Sequence, residues 1–153
     1  MTLLRRHFLS CLLLLALVGC SQQELAAPFR TSVDQELILA SMRGDGVGVW
    51  AALAAKADPD FTDRSGNTAL IFAARDGHLE IAEILLEYGA TVDWQDDEKV
   101  TPLILASSRN HPAIVTLLLN HGAALAIKDQ WGRTALDHAE RRGADDPIAV
   151  MLR

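Results

Sequence analysis

Residues 68–90 read TALIFAARDGHLEIAEILLEYGA, and thirty-three positions later residues 101–123 read TPLILASSRNHPAIVTLLLNHGA. A thinner third copy begins at Thr134. In phase across the three, Thr68-Ala69-Leu70 matches Thr101-Pro102-Leu103 and Thr134-Ala135-Leu136. Ala73-Ala74 matches Ala106-Ser107 and, more weakly, Ala139-Glu140, while Gly77 matches Asn110 and Gly143. Leu85-Leu86 matches Leu118-Leu119 and Met151-Leu152, and Gly89-Ala90 matches Gly122-Ala123. Asp63, Asp96 and Asp129 open the three units. Recurrence at about ten positions in one phase marks a stacked repeat architecture.

Each recurring residue has a physical task. The opening Asp, with Gly66 and Gly132 three residues on, suits a tight hairpin turn that needs positive φ. Thr caps the helix that follows, and Pro102 sits at the first helical position, where no N–H is required. Small alanines let two helices approach closely. Gly77, Asn110 and Gly143 end the inner helix in the left-handed region that Gly and Asn tolerate best. Ile81, Ala82, Leu85 and Leu86 then form one buried stripe on an outer helix, which Gly89 terminates as Gly122 does in the next unit.

A period of thirty-three residues around a Thr-Pro-Leu-x-x-Ala core resembles the ankyrin repeat. The resemblance implies an all-α solenoid, slightly curved, of about four helix-turn-helix units with short hairpin loops. Shifting back by one period places Leu37, Ala40, Gly44, Val49, Leu53, Ala57 and Asp60 in phase, so a degraded first unit precedes the three. The units run about 30–62, 63–95, 96–128 and 129–153, with atypical ends as a solenoid's caps require. Three places depart from the family pattern. Ile71, Ile104 and Asp137 stand where ankyrin repeats commonly carry His after the Thr-Pro-Leu triplet. Lys99 replaces the turn glycine, and Lys56 the glycine ending the outer helix.

The chain divides into residues 1–19, 20–33 and 34–153. Arg5 and Arg6 precede an apolar run from Phe8 to Val18, too short to span a hydrocarbon core and of signal-peptide proportions. It ends in Leu17-Val18-Gly19-Cys20, which resembles the lipobox of bacterial lipoproteins. The resemblance implies that Cys20 is lipidated and becomes the first mature residue; an ordinary secretory signal or an uncleaved anchor is the alternative. Cys11 lies in the apolar run, so no disulfide is available to the mature chain. Residues 20–33 read as lipidated cysteine and polar tether, and residues 34–153 as the repeat domain. In lipoprotein sorting, Asp beside the lipidated cysteine retains a protein at the inner membrane. Ser21 stands there instead, which implies the periplasmic side of the outer membrane.

Composition narrows the function. The whole chain has formal charge −6, and residues 1–19 contain two arginines and no acidic residue, so the mature charge is −8. Nucleic acid is excluded as a partner by that balance, because phosphate binding depends on clustered Lys and Arg. Attachment to lipid must then come from acyl chains and not from charge. His78 and His111 share a repeat position, which invites a metal ladder. Histidine is common there in ankyrin repeats, however, and a structural role is expected. His121 and His138 lie near no cysteine, and no spacing resembles a zinc site. Asp137 and His138 are adjacent and so diverge on a helix. There is no glycine-rich phosphate loop. The expectation is a binding module with no catalytic residue, cofactor, metal or small-molecule substrate, acting on a protein partner that it inhibits, neutralises or stabilises. A structural envelope scaffold and an enzyme with an unrecognised site are the rivals.

Ankyrin arrays usually bind partners at the hairpin tips and on the concave side of the inner helices. Carried over by phase, the inner helices end at Met42-Arg43, Arg75-Asp76, Ser108-Arg109 and Arg141-Arg142. Arg43, Arg75, Arg109 and Arg142 are expected to line one face toward an acidic partner, with Arg64 and Arg133 at the hairpins extending it. The helix dipole also favours cations at such places, but Arg forks carboxylates and is enriched at interfaces. Phe61, Trp94 and Ile127 share one phase and read as a half-buried ladder. Trp131 falls at the last hairpin tip, a candidate hot spot, and Trp50 on the outer face of the first outer helix, placed to cover the N-terminal end.

Overall fold

The computed structural model describes residues 31–143 and 145–153. Small polar side chains set the starts of its inner helices. The hydroxyls of Thr68, Thr101 and Thr134 accept the backbone N–H of Ile71, Ile104 and Asp137 at 3.4, 3.3 and 3.3 Å. Each thereby satisfies one of the amides that a helix leaves open at its beginning. Among the described residues the result is eight helices and no strand, in four pairs. They are α1 (Val33–Arg43) with α2 (Gly46–Ala54), and α3 (Ala69–Asp76) with α4 (Leu79–Glu87). Then come α5 (Pro102–Ser108) with α6 (Pro112–Asn120), and α7 (Ala135–Glu140) with α8 (Pro147–Met151).

The first unit departs from the phase of the others. Register alone would begin α1 at residue 36, but a capping box between Ser32 and Gln35 begins it three residues earlier. Ser32 and Val33 therefore belong to the cap and the helix, and not to the tether. Cys20 and the other residues up to Arg30 lie outside the described residues.

The pairs stack in two layers. Inner helices α1, α3, α5 and α7 pack in sequence, as do outer helices α2, α4, α6 and α8. Between the layers Leu70, Leu85, Leu103, Ile114, Leu118 and Ile148 are fully buried, and Ala40, Ala73, Ala74, Ala106 and Ala139 are completely covered. Alanine at those places brings the layers close, and the larger residues fill the space between. Phe61, Trp94 and Ile127 are half-buried, as their shared phase implies. The Trp94 indole N–H donates to the Gly66 carbonyl at 3.0 Å and ties one hairpin to the next.

Two ladders of carboxylates hold the connections. In the hairpins, Oδ1 of Asp63 accepts the N–H groups of Ser65 and Asn67, Asp96 those of Glu98 and Val100, and Asp129 those of Trp131 and Arg133. Neighbouring hairpins are joined by Asp97 N–H to the Ser65 carbonyl and Gln130 N–H to the Glu98 carbonyl. In the loops between units, Asp34 accepts the N–H of Asp58, Asp60 that of Thr91, and Asp93 that of Ala124. Asp60 and Asp93 thereby satisfy, across a repeat boundary, an amide that no helix uses, and Asp34 does the same within the first unit.

Positive φ falls where the sequence places it. Gly77 ends α3 at φ 84° and Asn110 follows α5 at φ 62°. A Cβ on Gly77 would stand 2.7 Å from Cε1 of His111, and one on Gly44 would stand 2.8 Å from Cε1 of His78. Glycine is required twice over at both places, by backbone and by the histidine of the following unit. Lys56 and Lys99 occupy the same left-handed region at φ 69° and 60°, with no such freedom.

Candidate partner-binding face

The site anticipated at the ends of the inner helices resolves into two kinds of arginine. Thirty-three-residue register places Arg43, Arg109 and Arg142 at one position, with Asp76 as the second unit's counterpart. Arg75 and Arg141 occupy the preceding position. The expected single row of Arg43, Arg75, Arg109 and Arg142 is therefore two half-rows.

Several of these guanidinium groups are already engaged. Arg75 forks its own neighbour, Nε to Oδ1 and Nη2 to Oδ2 of Asp76 at 2.9 and 2.8 Å, and lies 4.8 Å over the Phe72 ring. The hydrogen bond from Arg75 holds the Asp76 carboxyl below its usual range despite partial burial. Arg43 reaches Glu36 at 3.6 Å in a loose, exposed pair. Arg142 pairs with Asp146 through Nε and Nη2 at 2.8 and 3.0 Å. Its Nη1 also donates to the Ser107 and Ser108 carbonyls at 2.6 and 3.2 Å. That guanidinium closes the C-terminal end of α5, whose last carbonyls have no partner within the helix. His111 does the same for α3, donating Nε2–H to the Arg75 carbonyl at 3.1 Å. His111 thus has a structural task, whereas His78 at the same repeat position shows no such bond among the described residues.

Arg64, Arg109 and Arg141 are exposed and make no ion pair among the described residues. Arg109 caps α5 and Arg141 caps α7, while Arg64 stands on the first full hairpin. Arg64 also borders an open groove of about 500 Å³ whose walls are Gln35, Ile38 and Leu39 of α1 with Phe61 of the hairpin.

At the last hairpin, Trp131 is 59% exposed, and the Arg133 guanidinium lies 4.7 Å from its ring centroid. Arg133 is in turn fixed by Asp129, Nε to Oδ2 at 3.1 Å. Trp131 is thus a pre-oriented aromatic on an exposed tip, and Arg133 its support. Asp129 itself is buried and receives four donors: the amides of Trp131 and Arg133, Nε of Arg133, and Nε2–H of His138 at 2.9 Å. Burial would raise its pKa, but the donors from Arg133, His138 and Trp131 outweigh that and lower it to about 2. The pairing with His138 was not legible from spacing. Asp137, by contrast, faces away to cap Thr134, accepting its N–H at 2.7 Å. Among the described residues no three His, Cys, Asp or Glu side chains converge on a point.

The sequence matches the family described as ankyrin repeats (3 copies) over residues 37–129 and 89–152. No curated protein matches the chain.

Proposed function

The chain belongs to the ankyrin-repeat family, whose members are generally protein-protein interaction modules, and from that premise we propose that it binds one partner protein noncovalently in the bacterial cell envelope. The observation that carries this reading is the contrast between closed and open polar groups on one array. The Asp129 carboxylate, the hairpin and loop amides and the C-terminal ends of α3 and α5 are satisfied internally, whereas Arg64, Arg109, Arg141 and the Trp131 tip are left to solvent. Arginine and tryptophan so presented are the residues that anchor interfaces. The partner presents an acidic surface to the unpaired arginines, and binding inhibits, neutralises or stabilises it. Lipidation at Cys20, on the strength of Leu17-Val18-Gly19-Cys20, holds the module to the periplasmic side of the outer membrane.

The test uses the partner recovered stoichiometrically by pull-down with the full chain. Reversing Arg109 and Arg141 to Glu removes two positive charges and installs two negative ones at places outside the core. The double variant should bind at least about tenfold more weakly, and wild-type association should slow as salt rises. Circular dichroism checks that the array is intact. A folded double variant with unchanged affinity would sink the arginine face and leave Trp131 as the candidate contact.

A further inference from the structure

The first outer helix exposes an apolar face with a tryptophan in it, where the next outer helix is charged. In α2, Val49, Ala52 and Leu53 are buried against the array, which is the ordinary stripe. On the opposite side Val47, Trp50, Ala51 and Ala54 are exposed, at helical spacing, with Val47 80% and Trp50 57% accessible. One period later the counterparts of Val47, Trp50 and Ala54 are Glu80, Glu83 and Glu87, all exposed. The face that α4 gives to water with three carboxylates is offered by α2 with no charge at all. Every residue of α2 is uncharged, as in α6 and α8, but α2 alone among the outer helices contains an exposed aromatic ring.

The sequence before the first unit points to the occupant. Cys20 lies twelve residues before the Ser32 cap, which an extended chain spans in at most about 40 Å. A lipid on Cys20 therefore ties the first unit to the bilayer by a shorter length of chain than any other unit. Tryptophan favours the headgroup region, where its ring is covered and its N–H stays hydrated. Carboxylates there would resist desolvation, so an uncharged face is needed at this end of the array and not at the next helix.

We propose that the Val47, Trp50, Ala51 and Ala54 face of α2 docks on the lipid surface, so that the anchored array stands with its first unit against the membrane. This rests on the lipid-anchor reading above. Docking adds a second membrane contact to the acyl chains, and the tether makes it effectively intramolecular.

The experiment places the full mature, lipidated protein in phosphatidylcholine vesicles with or without brominated acyl chains. Sedimentation with the vesicles reports the anchor, and quenching of tryptophan emission by bromine reports docking. The expected result is a sedimenting chain whose emission is quenched, with Trp50→Phe removing the quenched component. Val47→Glu should cut the quenching at least about threefold while the chain still sediments. A chain that sediments with no bromine-sensitive emission overturns docking and leaves the anchor standing. So does quenching that survives Trp50→Phe. Emission insensitive to bromine, together with chemical cross-linking of two chains, assigns the face to a second copy and overturns the lipid assignment. A chain that does not sediment overturns the anchor, and docking falls with it.

Discussion

Lys99 is the residue whose place in the fold is least natural for its type. It holds φ 60° at a hairpin where Gly66 and Gly132 hold 75° and 77°. An L side chain in that region costs about 1–2 kcal/mol, part of which glycine would return through its greater unfolded-state freedom. Lys99→Gly should therefore stabilise the array by about 0.5–1 kcal/mol, seen as a raised melting temperature with unchanged circular dichroism. Asp129 makes the opposite case, a residue already optimal. Its folded pKa of about 2 lies below the ordinary 3.8, so its contribution is complete above pH 4 and is lost as pH falls toward 2. The difference corresponds to about 2 kcal/mol. Asp129→Asn should lower stability at pH 7, and the gap between variant and parent should close between pH 4 and pH 2. A gap that persists at pH 2 would show that the carboxylate's charge is not what holds the hairpin.

Among the described residues the helices are short, and the longest has eleven residues. None would persist alone in water at such lengths, so each depends on its caps and its buried stripe. Leu118 is completely buried in the stripe of α6. Leu118→Ala should cost about 2–5 kcal/mol and, because neighbouring units share that interface, should lower the melting of the whole array as a single transition. Much at this scale was legible beforehand. Threonine caps, the Gly and Asn ends and the Leu85 and Leu118 stripes follow from local chemistry repeated at a fixed period. Ser32 was missed because a non-repeating capping box outcompeted the phase. The internal bonds of Arg142 and His138 were not legible, for a different reason. Their partners, the Ser107 and Ser108 carbonyls and Asp129, are brought near only by stacking of units or folding of a hairpin onto a helix, which no residue spacing announces.

Taken as a whole the molecule is acidic, with a formal charge of −6, and no described helix is long and apolar enough to cross a membrane. In the proposed reading the anchor is a single thiol, that of Cys20. Cys20→Ser should release the chain from cell membranes, measured by fractionation. A variant that stays wholly with the membrane pellet contradicts the lipobox reading. The arrangement of helix ends bears on how such a chain acquires its shape. The last carbonyls of α3 are closed by His111 and those of α5 by Arg142, in each case from the unit that follows. Emerging amino end first from a ribosome or a translocation channel, the chain therefore lacks what completes α3 or α5 until a further unit is through. Its shape is acquired one unit behind its own arrival.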